Sequence, residues 1–323
     1  MVAITKEMTN CRIIFSILLM FYNFLVCIGQ VNKEEEFKNL TTLHLKGKVK
    51  SIAEKSFNAK KNGNNYVKTI EGWQSSWQKN NEQKFDINGN LINQTYFENS
   101  KPIRNDFYKY ENKKITEINV LYANRFFSYD EFGKITSEKF INKQPKKITT
   151  GKESIPLKKE TFIKYFYSKN SKLIQKIESN LSGNQVSVEN FKYDLNNNLI
   201  YRELKYSDRK EWYNYYFNND NLLYKTEWKD NKNGLLEETL ITYNNREKIT
   251  ENWTNYFEGE KEGSIEYIYE KGNEIRTKEF DADGNLENEE KISYVYDKFE
   301  NWIKKTIVTK NKVFIVERKI TYY

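Results

Sequence analysis

The order of apolar and polar residues follows one spacing through most of the chain. An aromatic residue is followed by Asp or Asn, two variable residues, Gly or Asn, a polar residue, and then Leu, Ile or Trp six places after the aromatic. We call these seven residues the turn motif. Its copies begin at Phe85, Tyr129, Tyr167, Tyr193, Phe217, Tyr243, Tyr269, Phe280 and Tyr296, with a shorter one at Tyr110. From Tyr167 to Tyr296 the copies recur about every 26 residues, apart from the additional copy at Phe280. A period of this length is typical of repeat proteins, in which each unit packs only against its neighbours.

Each turn motif predicts a tight β-hairpin turn. The Asp or Asn can accept hydrogen bonds from backbone N–H groups two residues on, and the Gly or Asn three places later tolerates positive φ. The residues assigned to these turns are Asp86, Gly89, Asp130, Gly133, Asp194, Asp281, Gly284 and Asp297. Apolar residues alternate with polar ones before each turn, as in Ile163, Tyr165 and Tyr167, which predicts a strand.

A second apolar position recurs eleven places after the aromatic residue of the motif. It is occupied by Tyr96, Phe140, Leu204, Trp228, Phe280 and Ile307. The pattern therefore predicts an all-β fold, a long antiparallel hairpin meander of about twenty strands. Since a flat sheet rarely exceeds about ten strands, we expect a curled or two-lobed open sheet or a barrel-like shell.

The first 29 residues have the features of an export signal. Lys6 and Arg12 precede an apolar run over 13–26, and Cys27-Ile28-Gly29 offers a cleavage site. The run is short for a membrane span of about 20 residues, and Val26 argues against lipidation of Cys27. We therefore predict an exported protein that is periplasmic, outer-surface or secreted and is not an integral membrane protein after signal removal. Both cysteines lie in this segment, which excludes disulfides and zinc–thiolate sites from the mature chain.

The remaining chain divides at a proline- and lysine-containing segment. We expect a leader with a short helix over 30–45 and a first β-repeat lobe over 30–143. An inserted loop over 144–160 and a second repeat lobe over 161–323 follow. With 38% hydrophobic and 15% aromatic residues, tyrosine must supply much of the apolar area. A core with so little apolar area, in which tyrosine hydroxyls remain in contact with water, fits an open sheet better than a compact globule.

The turn motifs resemble the YD repeats of the RHS family, whose units centre on a Tyr-Asp pair, a Gly and an apolar residue after the turn. Tyr129-Asp130…Gly133…Ile135 and Phe85-Asp86…Gly89…Leu91 match best. Tyr193-Asp194 and Tyr296-Asp297 keep the pair but carry Asn197 and Glu300 where the family has Gly. The resemblance implies an exported protein of a Gram-negative bacterium. Larger members wrap their sheets into shells that enclose a C-terminal toxin or bind saccharides, and we expect no toxin in this short chain.

Groups that support catalysis are scarce in the sequence. The single histidine, His44, has no second histidine or mature cysteine with which to form a triad or a metal cluster. No cofactor motif occurs, and most Glu residues alternate with Lys, which is typical of solvated strand faces. We expect a protein that is not an enzyme. The alternative is a glycan hydrolase that uses a carboxylate pair.

Aromatic side chains are the candidates for ligand binding. Tyr and Trp rows on a sheet can stack on sugars while basic residues hold acidic groups. The six tryptophans, Trp73, Trp77, Trp212, Trp228, Trp253 and Trp302, are the predicted ligand-binding residues. The expected partner is a carbohydrate or anionic envelope polymer, or a protein, and not nucleic acid. The competing interpretations are that these tryptophans are core residues and that the protein is a purely structural scaffold.

Overall fold

A computed structural model describes residues 38–75, 78–143, 148–149, 152–153 and 160–323. The predicted export signal lies outside these residues, as does Trp77. The described residues form strands and turns and no helix. The strands are β1 (Val49–Asn62), β2 (Asn65–Glu71), β3 (Asn80–Phe85), β4 (Leu91–Glu98), β5 (Lys101–Glu111), β6 (Lys114–Val120), β7 (Ala123–Tyr129), β8 (Ile135–Asn142), β9 (Ile148–Thr149), β10 (Lys152–Glu153), β11 (Glu160–Tyr167), β12 (Leu173–Asn180), β13 (Gln185–Tyr193), β14 (Leu199–Lys205), β15 (Lys210–Phe217), β16 (Leu223–Asp230), β17 (Gly234–Asn244), β18 (Glu247–Phe257), β19 (Glu260–Glu270), β20 (Asn273–Asp281), β21 (Leu286–Tyr296), β22 (Trp302–Val308) and β23 (Val313–Tyr322).

The strands form a closed antiparallel barrel. Each strand pairs with the next along the chain, except that β8 pairs directly with β11 and that β1 lies between β23 and β3. This ring contains 20 strands, and β2 is an additional strand hydrogen-bonded to the far half of β1. The prediction of an all-β hairpin meander is confirmed, and the barrel-like shell is the form observed.

In the segment predicted as an inserted loop, the described residues 148–149 and 152–153 form β9 and β10, which pair with each other. Because β8 and β11 pair across it, the ladder joins both repeat blocks in one sheet. The assignment of separate lobes to 30–143 and 161–323 stays a prediction. The helix expected over 30–45 is wrong for its described part, because residues 40–44 form a turn in which the Leu45 N–H donates to the Leu40 carbonyl over 2.8 Å.

The turn motifs reverse the chain through hydrogen bonds to their Asp or Asn side chains. At Asp86, one carboxylate oxygen accepts the N–H groups of Asn88 and Asn90, each over 2.9 Å. Gly89 follows with φ of 85° and donates its N–H to the Asp86 carbonyl. In other copies the same position has positive φ without glycine, as at Asn197 (68°) and Glu300 (63°). Asn tolerates this conformation because its short polar side chain bonds locally.

Every complete turn motif also contains one register shift, located at its aromatic residue. Lys192 pairs with Tyr201, whereas the next residue, Tyr193, pairs with Leu199. The bulge reverses the alternation of side chains after the turn. For this reason the apolar residue eleven places after the aromatic returns to the same face of the sheet, as Leu204 does opposite Glu189.

The two faces of the sheet differ in burial. On β11, Tyr165 is 7% exposed, whereas its neighbour Phe166 is 40% exposed. Side chains crowd together on the concave side of a closed barrel and spread apart on the convex side, so the buried row faces the interior. The outward row carries cross-strand ion pairs such as Lys278–Glu266 (2.6 Å), Lys225–Glu238 (2.7 Å) and Lys139–Glu160 (3.0 Å).

Tyrosine hydroxyls of the turn motifs connect successive hairpins. Four of them donate to the backbone carbonyl of the apolar residue that ends the preceding motif. The bonds are Tyr129 to Ile115 (2.6 Å), Tyr167 to Ile135 (3.0 Å), Tyr193 to Leu173 (3.0 Å) and Tyr243 to Leu223 (2.7 Å). The aromatic residue therefore needs its hydroxyl as well as its ring, which explains why most motifs use Tyr rather than Phe.

Replacing Tyr193 by Phe is expected to lower the free energy of unfolding by about 1 kcal/mol, because the Leu173 carbonyl loses its donor. Burial raises the pKa of Tyr193, consistent with a phenol held away from water. Urea unfolding monitored by circular dichroism measures the change. Tyr224→Phe is the matched control, since that side chain is 40% exposed on the outer face. Equal losses in the two variants would contradict the role of the hydroxyl.

The segment before β1 helps to close the ring, at the end of the barrel where the turn motifs lie. Asn301 is 3% exposed and bonds both backbone groups of Lys46, its Oδ1 accepting the N–H over 2.8 Å and its Nδ2 donating to the carbonyl over 2.8 Å. The Leu40 N–H donates to Gly89 of the first turn motif. Residues 40–46 thus connect the first motif of the ring to the last.

Candidate functional site

A row of aromatic side chains lines the interior of the barrel from β16 to β22. We call it the inner aromatic strip: Trp228, Trp253, Tyr267, Tyr294 and Trp302. The ladder explains the row, because Trp253 pairs with Ile265 two residues from Tyr267, and Tyr294 is followed two residues later by Tyr296, which pairs with Trp302. The Trp253 and Tyr267 ring centroids are 5.4 Å apart, edge to face, and those of Tyr294 and Trp302 are 6.2 Å apart.

Carboxylates lie between these rings on the same inner wall. Glu251, 2% exposed, accepts hydrogen bonds from Lys248 Nζ (2.6 Å), Trp253 Nε1 (2.7 Å) and the Tyr269 hydroxyl (3.2 Å). These three donors satisfy both carboxylate oxygens of Glu251. Burial raises the pKa of Glu237 to about 7, and the Glu251 charge adds to the effect. Glu237 therefore binds a proton more tightly than an exposed Glu does.

Two further carboxyls extend the acidic wall toward β21. Burial raises the pKa of Glu274 and of Glu290. The opposite sector of the inner wall differs, because its charges are paired: Arg125 with Glu138, Arg104 with Asp106, and Lys176 and Arg202 with Glu189. The inner aromatic strip is therefore the acidic side of the barrel interior.

Basic side chains end the strip at β22 and β23. The Arg318 guanidinium carbon is 3.4 Å from the centre of the Trp302 ring, and Arg318 Nε donates to Glu54 over 2.7 Å. Lys305 Nζ is 5.5 Å from the centre of the same ring, and burial lowers its pKa. The chain after β2 covers this end, because the Gln74 amide donates to the Glu290 carboxylate.

The structure brings only some of the predicted tryptophans together. Trp228, Trp253 and Trp302 belong to the inner aromatic strip. Trp73 packs against the same buried cluster as Trp302, and its Nε1 donates to Asn80 over 2.8 Å. Trp212 is on the outer face, where it pairs with Glu203 and Lys229. His44 occupies the turn before β1 with φ of 52°.

Sequence reasoning did not identify Glu237, Glu251, Lys305 or Arg318. The available signal was parity. Residues two and four places before a turn-motif aromatic face inward with it, which would have placed Tyr267 and Ile265 before Tyr269. Glu237 is six places before Tyr243 and shares the face of Thr239 and Ile241, so the spacing places it on the inner side. Glu251 lies beyond the turn and the bulge at Tyr243, so its side of the sheet could not be read from spacing.

The chemical groups of this wall are of the kind that bind sugars. Barrels of about 16 to 18 strands already enclose water-filled channels, and a ring of 20 strands is wider. Aromatic faces bind the apolar face of a sugar ring, and carboxylates accept bonds from its hydroxyls. Within the described ranges no group of three or more His, Cys, Asp or Glu side chains is arranged to hold a metal ion.

Comparisons with known proteins give distant structural similarities only. No protein-family model matches the sequence, and a search of curated proteins found no match. The crystal structure of TcdB2-TccC3-Cdc42 is similar over 74% of this chain, which spans 16% of that chain, at 10% identity and a TM-score of 0.34. A porin-like protein from Bacteroides uniformis is similar over 84% of this chain and 98% of its own, at 10% identity and a TM-score of 0.36.

A porin-like protein from Bacteroides vulgatus is similar over 85% of this chain and 98% of its own, at 8% identity and a TM-score of 0.29. Similarities with TM-scores this low do not indicate a function. Through the ranges that the structure describes, no helix has the length and hydrophobicity of a membrane span.

Proposed function

We propose that this protein is a non-catalytic, exported barrel of the bacterial envelope or cell surface that binds a carbohydrate chain along the inner aromatic strip. The observation that carries the proposal is the alternation of aromatic rings with carboxylates on one sector of the inner wall. Half-buried Tyr267 and Tyr294 offer ring area for stacking, while Glu237, Glu274 and Glu290 offer acceptors for hydroxyl groups.

The charges of this wall favour a neutral carbohydrate over an anionic polymer. The pKa values of Glu237, Glu274 and Glu290 are all raised by burial, so bringing a further negative charge to them costs free energy. A neutral glycan brings hydroxyl donors without that cost. The basic balance of the whole chain, +8, reflects other parts of the molecule and does not describe this wall.

The charged side chains of the outer face favour a barrel that is surrounded by water. Cross-strand pairs such as Lys278–Glu266 and Lys225–Glu238 lie on its outward row. A Lys or Arg on the lipid-facing side of a membrane barrel costs about 2–4 kcal/mol at the bilayer midplane. The predicted export signal and the resemblance of the turn motifs to YD repeats agree with an exported shell of this kind.

The experiment is a glycan-array screen of the processed chain from Gln30, followed by calorimetric titration with the glycan that binds. Tyr267→Ala and Tyr294→Ala are each expected to weaken binding by up to about tenfold, because each removes a stacking ring worth about 0.5–1.5 kcal/mol. Trp212→Ala is the matched control, since that ring is on the outer face and should leave affinity unchanged.

Two results would contradict the proposal. The first is the absence of glycan binding, or binding that Trp212→Ala weakens as much as the strip variants do. The second is cleavage of the bound glycan that is lost in Glu237→Gln, which would make the protein a hydrolase acting through the Glu237 and Glu251 carboxyls.

A further inference from the structure

Lys305 lies on the inner face of β22, and its sequence neighbour Lys304 lies on the outer face. In the ladder Lys305 is opposite Tyr294 and Val316, whereas Lys304 is opposite Val295 and Glu317. Lys305 therefore lies between Tyr294 and Val316 in the ladder, and its amine is over the face of the Trp302 ring. The two lysines form a natural pair for comparison, because they share a strand and differ in environment.

The carboxylates near Lys305 are engaged with other groups. Glu54 is paired with Arg318 over 2.7 Å, Glu290 accepts from the Gln74 amide, and Glu274 accepts from the Thr277 hydroxyl. Among the described residues none of the ion pairs within 4 Å involves Lys305. Arg318, whose positive charge acts on Lys305, is stacked on the same tryptophan.

These surroundings are those of an activated amine. A lysine becomes nucleophilic at neutral pH when it is removed from water or placed beside another cation, since both favour the neutral form. Burial lowers the pKa of Lys305, and Arg318 lowers it further, against the opposing charges of Glu54, Glu274 and Glu290. Tyr294, whose pKa is raised by burial, remains neutral beside it.

We propose that Lys305 is a nucleophilic amine of the barrel interior that condenses with an aldehyde or ketone, such as the open-chain form of a small reducing sugar. The amine nitrogen attacks the carbonyl carbon and forms a C–N bond, and a proton moves from nitrogen to the new alkoxide. The carbinolamine then loses its hydroxyl as water, which leaves an imine. No oxidant or reductant is needed for this step.

Glu274 and Glu290 can supply the proton that leaves with the hydroxyl. Both are inner-wall carboxyls whose charges act on Lys305, and burial raises the pKa of each, so each holds a proton to higher pH than an exposed Glu. The inference concerns a covalent reaction at one side chain. It does not depend on non-covalent binding of a glycan to the inner aromatic strip.

The test is reductive trapping on the intact folded protein. Glyceraldehyde and cyanoborohydride are added at pH 7, and mass spectrometry of peptides follows the modification of each lysine. Lys305 is expected to react severalfold faster than Lys304, since a lowered pKa increases the fraction of neutral amine at pH 7. Equal rates, or a protected Lys305, would overturn the proposal.

Two further measurements separate activation from mere accessibility. The rate at Lys305 should reach its plateau at a lower pH than the rate at Lys304. Arg318→Met should slow Lys305 severalfold at pH 7, because it removes the neighbouring cation and frees Glu54 to stabilise the ammonium form. A Lys305 pH profile that coincides with that of Lys304, or a rate unchanged in Arg318→Met, would refute an activated amine even if Lys305 is labelled.

Discussion

Replacing Arg125 by Met is expected to lower the free energy of unfolding by about 3–5 kcal/mol, the usual cost of leaving one partner of a buried ion pair alone. Glu138 is 2% exposed on the inner wall and is held by Arg125 through two bonds of 2.5 and 3.0 Å. The Tyr165 hydroxyl donates a third bond over 2.9 Å. Without the guanidinium, this carboxylate must remain charged without its main partner or take up a proton.

Chemical denaturation of the wild type, Arg125→Met and the double variant Arg125→Met/Glu138→Met measures the effect. The double variant is expected to recover at least half of the loss, because two apolar side chains can replace a buried pair without leaving a charge behind. A loss of less than about 1 kcal/mol in Arg125→Met would show that water in the barrel interior solvates Glu138. The experiment therefore also reports whether this sector of the wall is dry.

Local features of the fold could be predicted from the sequence because they depend on residues close together in the chain. Asp86 and Gly89 specify a turn through hydrogen bonds within five residues, and the alternation that ends at Tyr167 specifies the strand before its turn. The recurrence eleven places after the aromatic also has a structural basis, since Leu204 and Ile307 return to the inner face after the bulge.

Closure of the ring could not be predicted, because it depends on contacts between distant parts of the chain. β1 pairs with β23, which is more than 250 residues away, and shares its other edge between β3 and β2. Neither β1 nor β23 contains a sequence motif that identifies the other as its partner. The hydrogen bonds between Lys46 and Asn301 at the rim also join residues that are far apart in the sequence.

The sequence predicted that tryptophans on an aromatic-rich sheet face bind the ligand, and this role stays a prediction. Trp228, Trp253 and Trp302 share the inner face, whereas Trp212 faces outward. The carboxylates were interpreted as solvated residues that alternate with Lys. That interpretation holds for Glu238, which pairs with Lys225 on the outer face, and is wrong for Glu237, its neighbour on the inner wall.

Glu237→Gln is expected to stabilise the protein by about 3 kcal/mol at pH 8 and to leave its stability nearly unchanged at pH 4. Burial and the nearby Glu251 raise the folded-state pKa of Glu237 to about 7, from an ordinary value of 4.5. Between these two values the folded state retains a proton that the unfolded state has lost. The wild type therefore becomes less stable as the pH rises from about 4.5 to 7, and the neutral amide removes this loss.

Thermal and urea unfolding from pH 4 to pH 8 measures the difference between variant and wild type, which should open across that window and stay constant above it. Glu238→Gln is the matched control: it removes the outward carboxylate that pairs with Lys225 over 2.7 Å and should not stabilise the protein at any pH. If Glu237→Gln were no more stable than the wild type at pH 8, Glu237 would be solvated and ionised. The inner wall would then lack the close acidic crowding that favours a neutral ligand.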